Sequence, residues 1–162
     1  MTWTVEAKVL PIVGLSGHLY LEVFDEAGHR VLQINGLATD PATQRPRSIG
    51  LPGDTLKAYV SNAEILSDTY GATRDRHPHK GHVLFRGAEE DILKVIKVAE
   101  EAAEKINQLN LSYLLLTQNS NSVFMHMLDA IASVIPLDPR TVESVRWLKP
   151  PEQTLPIGKL EF

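Results

Sequence analysis

The sequence contains no cysteine. That one absence removes a disulfide framework, a thiolate metal site and a cysteine nucleophile together. Positive charge is also scarce, with 16 basic against 20 acidic residues and a formal net charge of −4. No broad cationic surface is left to neutralise a phosphate backbone, so nucleic acid is not an expected partner. No apolar run reaches the ~18 residues of a membrane-spanning helix. Met1 to Leu10 lacks the basic-then-apolar order of a secretory signal. A soluble protein with no membrane span is expected, cytoplasmic unless a specialised secretion system exports it. A glycine-rich phosphate loop is missing too, because Gly50-Leu51-Pro52-Gly53 has neither the lysine nor the flanking strand and helix of one. No cofactor is expected.

What is present suits one domain over residues 1–162, since 162 residues at 43% hydrophobic content can bury a core without staples. The fold class predicted is α+β, a small antiparallel sheet packed against two main helices. Alternating polar and apolar residues predict strands over Thr2 to Leu10 and Gly17 to Phe24, then, after the turn Asp25-Glu26-Ala27-Gly28, over His29 to Leu37. Ala38 to Thr55 carries Asp40-Pro41, Arg45-Pro46 and Leu51-Pro52-Gly53-Asp54, which predicts a long loop. Leu56 to Val60 and Gly81 to Phe85 predict two more strands around the polar segment Ser61 to Lys80. Ile92, Val95, Ile96, Ala99, Ala103 and Ile106 form one stripe, so Glu89 to Leu109 is a helix with acidic residues at its positive end. Glu90–Lys94 and Glu101–Lys105 are its expected pairs. A second helix is predicted from Ser120 to Val134, with Val123, Met127, Ile131 and Val134 inward and Ser122, His126, Asp129 and Ser133 outward. The proline-bearing tail from Pro136 is expected to be extended.

The run Asn119-Ser120-Asn121-Ser122 opens that second helix. Asn119 is a good N-cap, able to accept from the N–H of Asn121 or Ser122, and Ser120 then takes the first helical position. Unpaired N–H groups and the positive helix end there stabilise an anionic nucleophile or an oxyanion. A hydroxyl needs a base to react, and His18 is the base candidate. It shares a strand face with Tyr20 and Glu22, opposite Leu19, Leu21 and Val23. Pairing Leu19 and Leu21 with Leu32 and Ile34 brings Gln33 and Asn35 to the His18 face. A four-residue turn sets His18 opposite Asn35, whose amide would orient the imidazole; a shift by two makes Gln33 or Tyr20 the neighbour.

Taken together, Gly17-His18, Gln33-Ile34-Asn35-Gly36 and Tyr113 followed by Asn119-Ser120-Asn121-Ser122-Val123-Phe124 resemble the circularly permuted papain-like amidases and peptidases. In that group the histidine strand precedes the nucleophile helix, and the nucleophile is usually the cysteine of an Asn-Cys-Asn context. The resemblance covers Gly17 to Gly36 and the stretch from the long helix to Val134. It implies a permuted papain-like fold, His18 as base, Asn35 or Gln33 as orienter and Ser120 at the cysteine position. Asn119, Asn121 and Tyr20 would support the site or its oxyanion. The implied activity is hydrolysis of a peptide, amide or ester substrate, as in a bacterial effector or toxin domain. Serine in place of cysteine leaves two other readings: a catalytically inactive module that binds a peptide or partner protein, and a trapped form of a cysteine enzyme. A structural or immunity-type subunit is a third function class. His77, His79 and His82, near Asp75, pack three imidazoles closely but offer no fourth ligand or supporting shell, so no metal is expected.

Overall fold

The computed structural model describes residues 2–10, 17–47, 50–62 and 80–148. Within them the chain is α+β, an antiparallel sheet of six strands with three helices. The strands are β1 (Trp3–Leu10), β2 (His18–Phe24), β3 (Arg30–Thr39), β4 (Pro46–Arg47), β5 (Thr55–Ser61) and β6 (Lys80–Gly87). The helices are α1 (Glu89–Gln108), α2 (Ser120–Ala132) and α3 (Pro139–Arg146). Across the sheet the order is β5, β3, β2, β1, β6, and the two-residue β4 pairs with the far end of β3.

Strand alternation separates the two faces. Val5, Leu19, Leu21, Ile34 and Leu56 point to the helices and meet Ile92, Val95, Val123 and Met127 in one apolar core. Helix α1 packs on β5 and α2, α2 lies across β3 and β2, and α3 packs against β6. Val98 and Ala102 are also buried in α1, widening the stripe beyond the residues predicted, whereas Val134 lies past the end of α2 and is exposed. On the charged face of α1, Lys94 meets Asp91 at 2.8 Å and Lys97 approaches Glu101 at 3.9 Å.

Three other expectations are corrected. Within the predicted loop, β3 runs on to Thr39 and Pro46–Arg47 pairs with Ala38 and Thr39. Asp40 holds this return, accepting from the N–H of Ala42 at 2.8 Å and from Arg47 at 2.5 Å. The tail from Pro136 is not wholly extended, because Asp138 caps α3 by accepting from the N–H of Arg140 and Thr141. Pro139 sits at the first helical position, where its missing N–H costs nothing and its fixed φ is already helical. Ser122 is buried in the cap of α2 instead of facing outward. His77, His79 and Asp75 lie outside the described residues, as does the tail beyond Leu148. His82 lies on β6 opposite Ala7.

The edge strand β5 is closed in an unusual way. The Asn107 side chain accepts from the Ala58 N–H at 2.8 Å and donates to the Ala58 carbonyl at 2.9 Å, so one amide imitates a neighbouring strand. Leu56 N–H donates to the Leu111 carbonyl further along the same edge. An open edge invites pairing with other chains, and these contacts remove much of it. Replacing Asn107 by Ala strands both backbone groups and is expected to lower stability by about 1–3 kcal/mol. A fall in the urea midpoint at unchanged slope is the result that checks this.

Candidate active site

The site forms where β2 and β3 part. Their ladder runs from Phe24↔Arg30 to Leu21↔Ile34, with a bulge between Val23 and Phe24. Beyond Ile34, β3 keeps β5 on one side and takes β4 on the other. The first turn of α2 occupies the fork. Asn121 accepts from the Leu19 N–H at 2.9 Å and donates to the Gly17 carbonyl at 3.1 Å, taking the place β3 has left on that edge of β2. On the other prong, Gly36 has no side chain because there is no room for one: a Cβ there would lie 2.4 Å from Val123 Cβ and 2.9 Å from the Ser120 carbonyl oxygen. Helix and sheet meet backbone to backbone at residue 120.

The strand register differs from the four-residue turn predicted from sequence. Asp25 accepts from the N–H of both Ala27 and His29, Gly28 takes a positive φ of 81°, and His29 stays in the turn. With the bulge added, the ladder moves by two residues, which preserves parity. Continued past its last rung, it aligns Tyr20 with Asn35. His18 nevertheless reaches Asn35 along the diagonal, Nε2 to Oδ1 at 3.1 Å. The imidazole also stacks on Tyr20, with ring centroids 5.9 Å apart and planes inclined by 23°. His18 is 3% exposed and Asn35 1%.

Gln33, the other candidate orienter, is turned to Glu22, donating through Nε2 to its carboxylate at 3.0 Å. A carboxylate only accepts, so that bond fixes which way the Gln33 amide faces. Its Oε1 and the Nδ2 of Asn35 are left buried and unpartnered among the described residues. With Asn35 Oδ1 as acceptor, His18 Nε2 is the donor of that bond.

At the helix end, nearly every N–H of the first turn is spent. Asn119 N–H donates to Ser122 Oγ at 3.2 Å, and Asn121 N–H to Asn119 Oδ1 at 3.0 Å. Ser122 and Val123 donate to the Asn119 carbonyl at 3.0 and 3.3 Å. The N–H of Ser120 alone in this turn has no partner among the described residues. The phenol of Tyr113 lies near enough to Ser120 for that side chain to influence its titration. Burial pushes the Tyr113 phenol above its ordinary range, against the influence of Ser120; nearby Asp54 raises it further and the Gly50 backbone works against that.

The structure therefore brings Ser120, Asn119, Asn121 and Tyr113 together at the fork, and His18, Tyr20 and Asn35 on the adjoining strands. The Asn121 bonds fall on the two residues flanking His18, and Asn121 itself follows Ser120. Residues without an assigned role in the sequence reading, Gly50 and Asp54, support this cluster from the loop. The only trace of them in sequence was the turn chemistry of Leu51-Pro52-Gly53-Asp54. Among the described residues no group of three or more His, Asp or Glu is arranged to hold a metal ion, and no helix is long and apolar enough to cross a membrane.

Set against protein-family models, curated proteins and solved structures, the chain matches none.

Replacing Asn121 by Ala strands the Leu19 N–H and the Gly17 carbonyl inside the fork. A loss of about 2–4 kcal/mol is expected, larger than for an exposed hydrogen bond. Urea unfolding with amide hydrogen exchange at Leu19 measures it; intact protection at Leu19 in the variant would refute the assigned role.

Proposed function

We propose that the chain is a hydrolase of amide, peptide or ester bonds, of the permuted papain-like type, in which Ser120 is the nucleophile, His18 the base and Asn35 the orienter. The observation that carries this reading is the buried His18–Asn35 bond beside a helix end whose unspent N–H belongs to Ser120. Attack by Ser120 Oγ on a carbonyl carbon sends its proton to His18 and the carbonyl electron pair to oxygen. Asn35 holds the imidazole through Nε2 and stabilises the imidazolium that forms. The Ser120 N–H, at the positive end of α2, receives the oxyanion. Returning the proton from His18 to the leaving group collapses the intermediate to an acyl-enzyme, which water then hydrolyses.

A second reading is favoured by the serine itself, whose hydroxyl ionises far less readily than the thiol usual at this position of the resembled group. In that reading the fold is an inactive module binding a peptide or partner protein, next to the solvent-facing leucines of Leu114–Leu116. A role as a bacterial effector or toxin domain extends the resemblance to papain-like domains and suits either reading.

The two readings separate on exposure to an activated ester such as p-nitrophenyl acetate. A working serine enzyme is expected to show a burst of p-nitrophenol and an acetyl group on Ser120 by mass spectrometry. Ser120→Ala abolishes the burst, and His18→Ala lowers the rate by about 100-fold or more. Activity confined to Ser120→Cys identifies a displaced cysteine site, and silence of all folded forms leaves the binding module.

A further inference from the structure

Asn107 and Leu111 close the β5 edge at Ala58 and Leu56, but they stop short of its last outward residue. Along an antiparallel strand the backbone groups point alternately toward the neighbour and away from it. Ala58 gives its N–H and its carbonyl to Asn107, so Leu56, Ala58 and Val60 face away from β3 while Tyr59, opposite Asn35, faces it. The Val60 N–H and carbonyl have no partner among the described residues. They border a groove of about 590 Å³ between β5 and α1. On the helix side Glu100, Ala103, Glu104 and Asn107 line it, one stripe at spacings of three and four. Glu100 is exposed and makes no ion pair among the described residues, since Lys97 approaches Glu101 instead. Glu104 accepts only from the neutral amide of Gln108, at 3.1 Å.

We propose that this groove docks an extended basic segment of a partner protein, which adds to the sheet at Val60 and sets an arginine or lysine between Glu100 and Glu104. An incoming strand exchanges both of its backbone bonds with Val60. Strand alternation turns every second side chain of the segment toward α1, where its methylenes cover Ala103 and its charge meets the two carboxylates. Two uncompensated acids beside an open donor and acceptor select this occupant. A second copy of the chain does not fit, because pairing two β5 edges about a two-fold axis turns one acidic stripe against the other. The surface is separate from residue 120 and does not rest on the hydrolase reading.

The test uses the full chain labelled with 15N and a short capped peptide of alternating arginine and threonine, with a glutamate–threonine peptide as its counterpart. The arginine peptide is expected to move the amide signals of Val60, Glu100 and Glu104 saturably, with a Kd of about 1 mM or tighter, and the glutamate peptide to leave them in place. The double variant Glu100→Gln, Glu104→Gln changes only exposed side chains and should weaken binding by roughly threefold or more. Val60→Pro removes the outward N–H at an edge position that tolerates proline, and should abolish the shifts. Absence of shifts at Val60, an equal response to the glutamate peptide, or undiminished binding to a folded Val60→Pro each overturns the proposal. Concentration-dependent self-association that protects the Val60 amide also overturns it, since the occupant would then be a second copy.

Discussion

One side-chain amide, that of Asn121, decides where the first turn of α2 meets the sheet. By bonding the Leu19 N–H and the Gly17 carbonyl it completes an edge of β2 that β3 has abandoned. The Leu19 group is buried and the Gly17 group partly so, and an unpaired donor or acceptor out of water costs about 1–3 kcal/mol. Gly36 then lets the helix approach β3 at backbone distance. The position of residue 120 is set by its neighbours' amides and by a missing Cβ, not by its own side chain. A serine and a cysteine would occupy the same place, which is why the chemistry at 120 can differ while the scaffold does not.

The face of the sheet turned away from the helices follows a different rule from a solvated one. His18, Tyr20, Gln33 and Asn35 are all buried there, together with the Glu22 carboxylate. Glu22 is balanced by Gln33 at 3.0 Å and by Arg30 at 3.4 Å, so the charge is compensated. The amides are not: Gln33 Oε1 and Asn35 Nδ2 each leave one group unsatisfied among the described residues. Such groups subtract from stability, and a fold that retains them side by side with a stacked histidine concentrates its local inconsistency at one spot. Burial also strengthens the bond between His18 and Asn35, because the local dielectric is low and water does not compete for the amide.

Face and parity were legible in the sequence; register was not. Leu19, Leu21, Leu32 and Ile34 could only share the core face, which placed His18 and Asn35 on one face without fixing which residues stand opposite. The bulge after Val23 and the retention of His29 in the turn, where Asp25 accepts from the Ala27 and His29 N–H groups, moved the ladder by two, so that Tyr20 aligns with Asn35 and His18 reaches it diagonally. The N-cap was readable because Asn119 precedes an apolar helical pattern. The fork was not, since it arises from Asn121 reaching a strand more than 100 residues earlier. Helix α3 was hidden by prolines that argue against helix everywhere except at its first turn, where Pro139 sits. The short strand β4 is too brief for any periodicity and exists because β3 outruns β2.

Serine at the helix end changes what the surrounding groups must do. A cysteine beside a histidine can rest as a thiolate with an imidazolium, so its base is needed before attack, whereas a serine hydroxyl has to lose its proton during attack. In the proposed hydrolase that would place more weight on the imidazole that the Asn35 bond orients, and on donors that meet charge as it appears on the substrate oxygen. The first turn of α2 consumes the N–H groups of Asn119, Asn121, Ser122 and Val123 internally and leaves the one at Ser120 without a partner among the described residues. A more generous helix end would bind water or anions indiscriminately. In the proposed hydrolase, a single backbone donor would concentrate the positive end of α2 on the oxygen attached to the atom under attack.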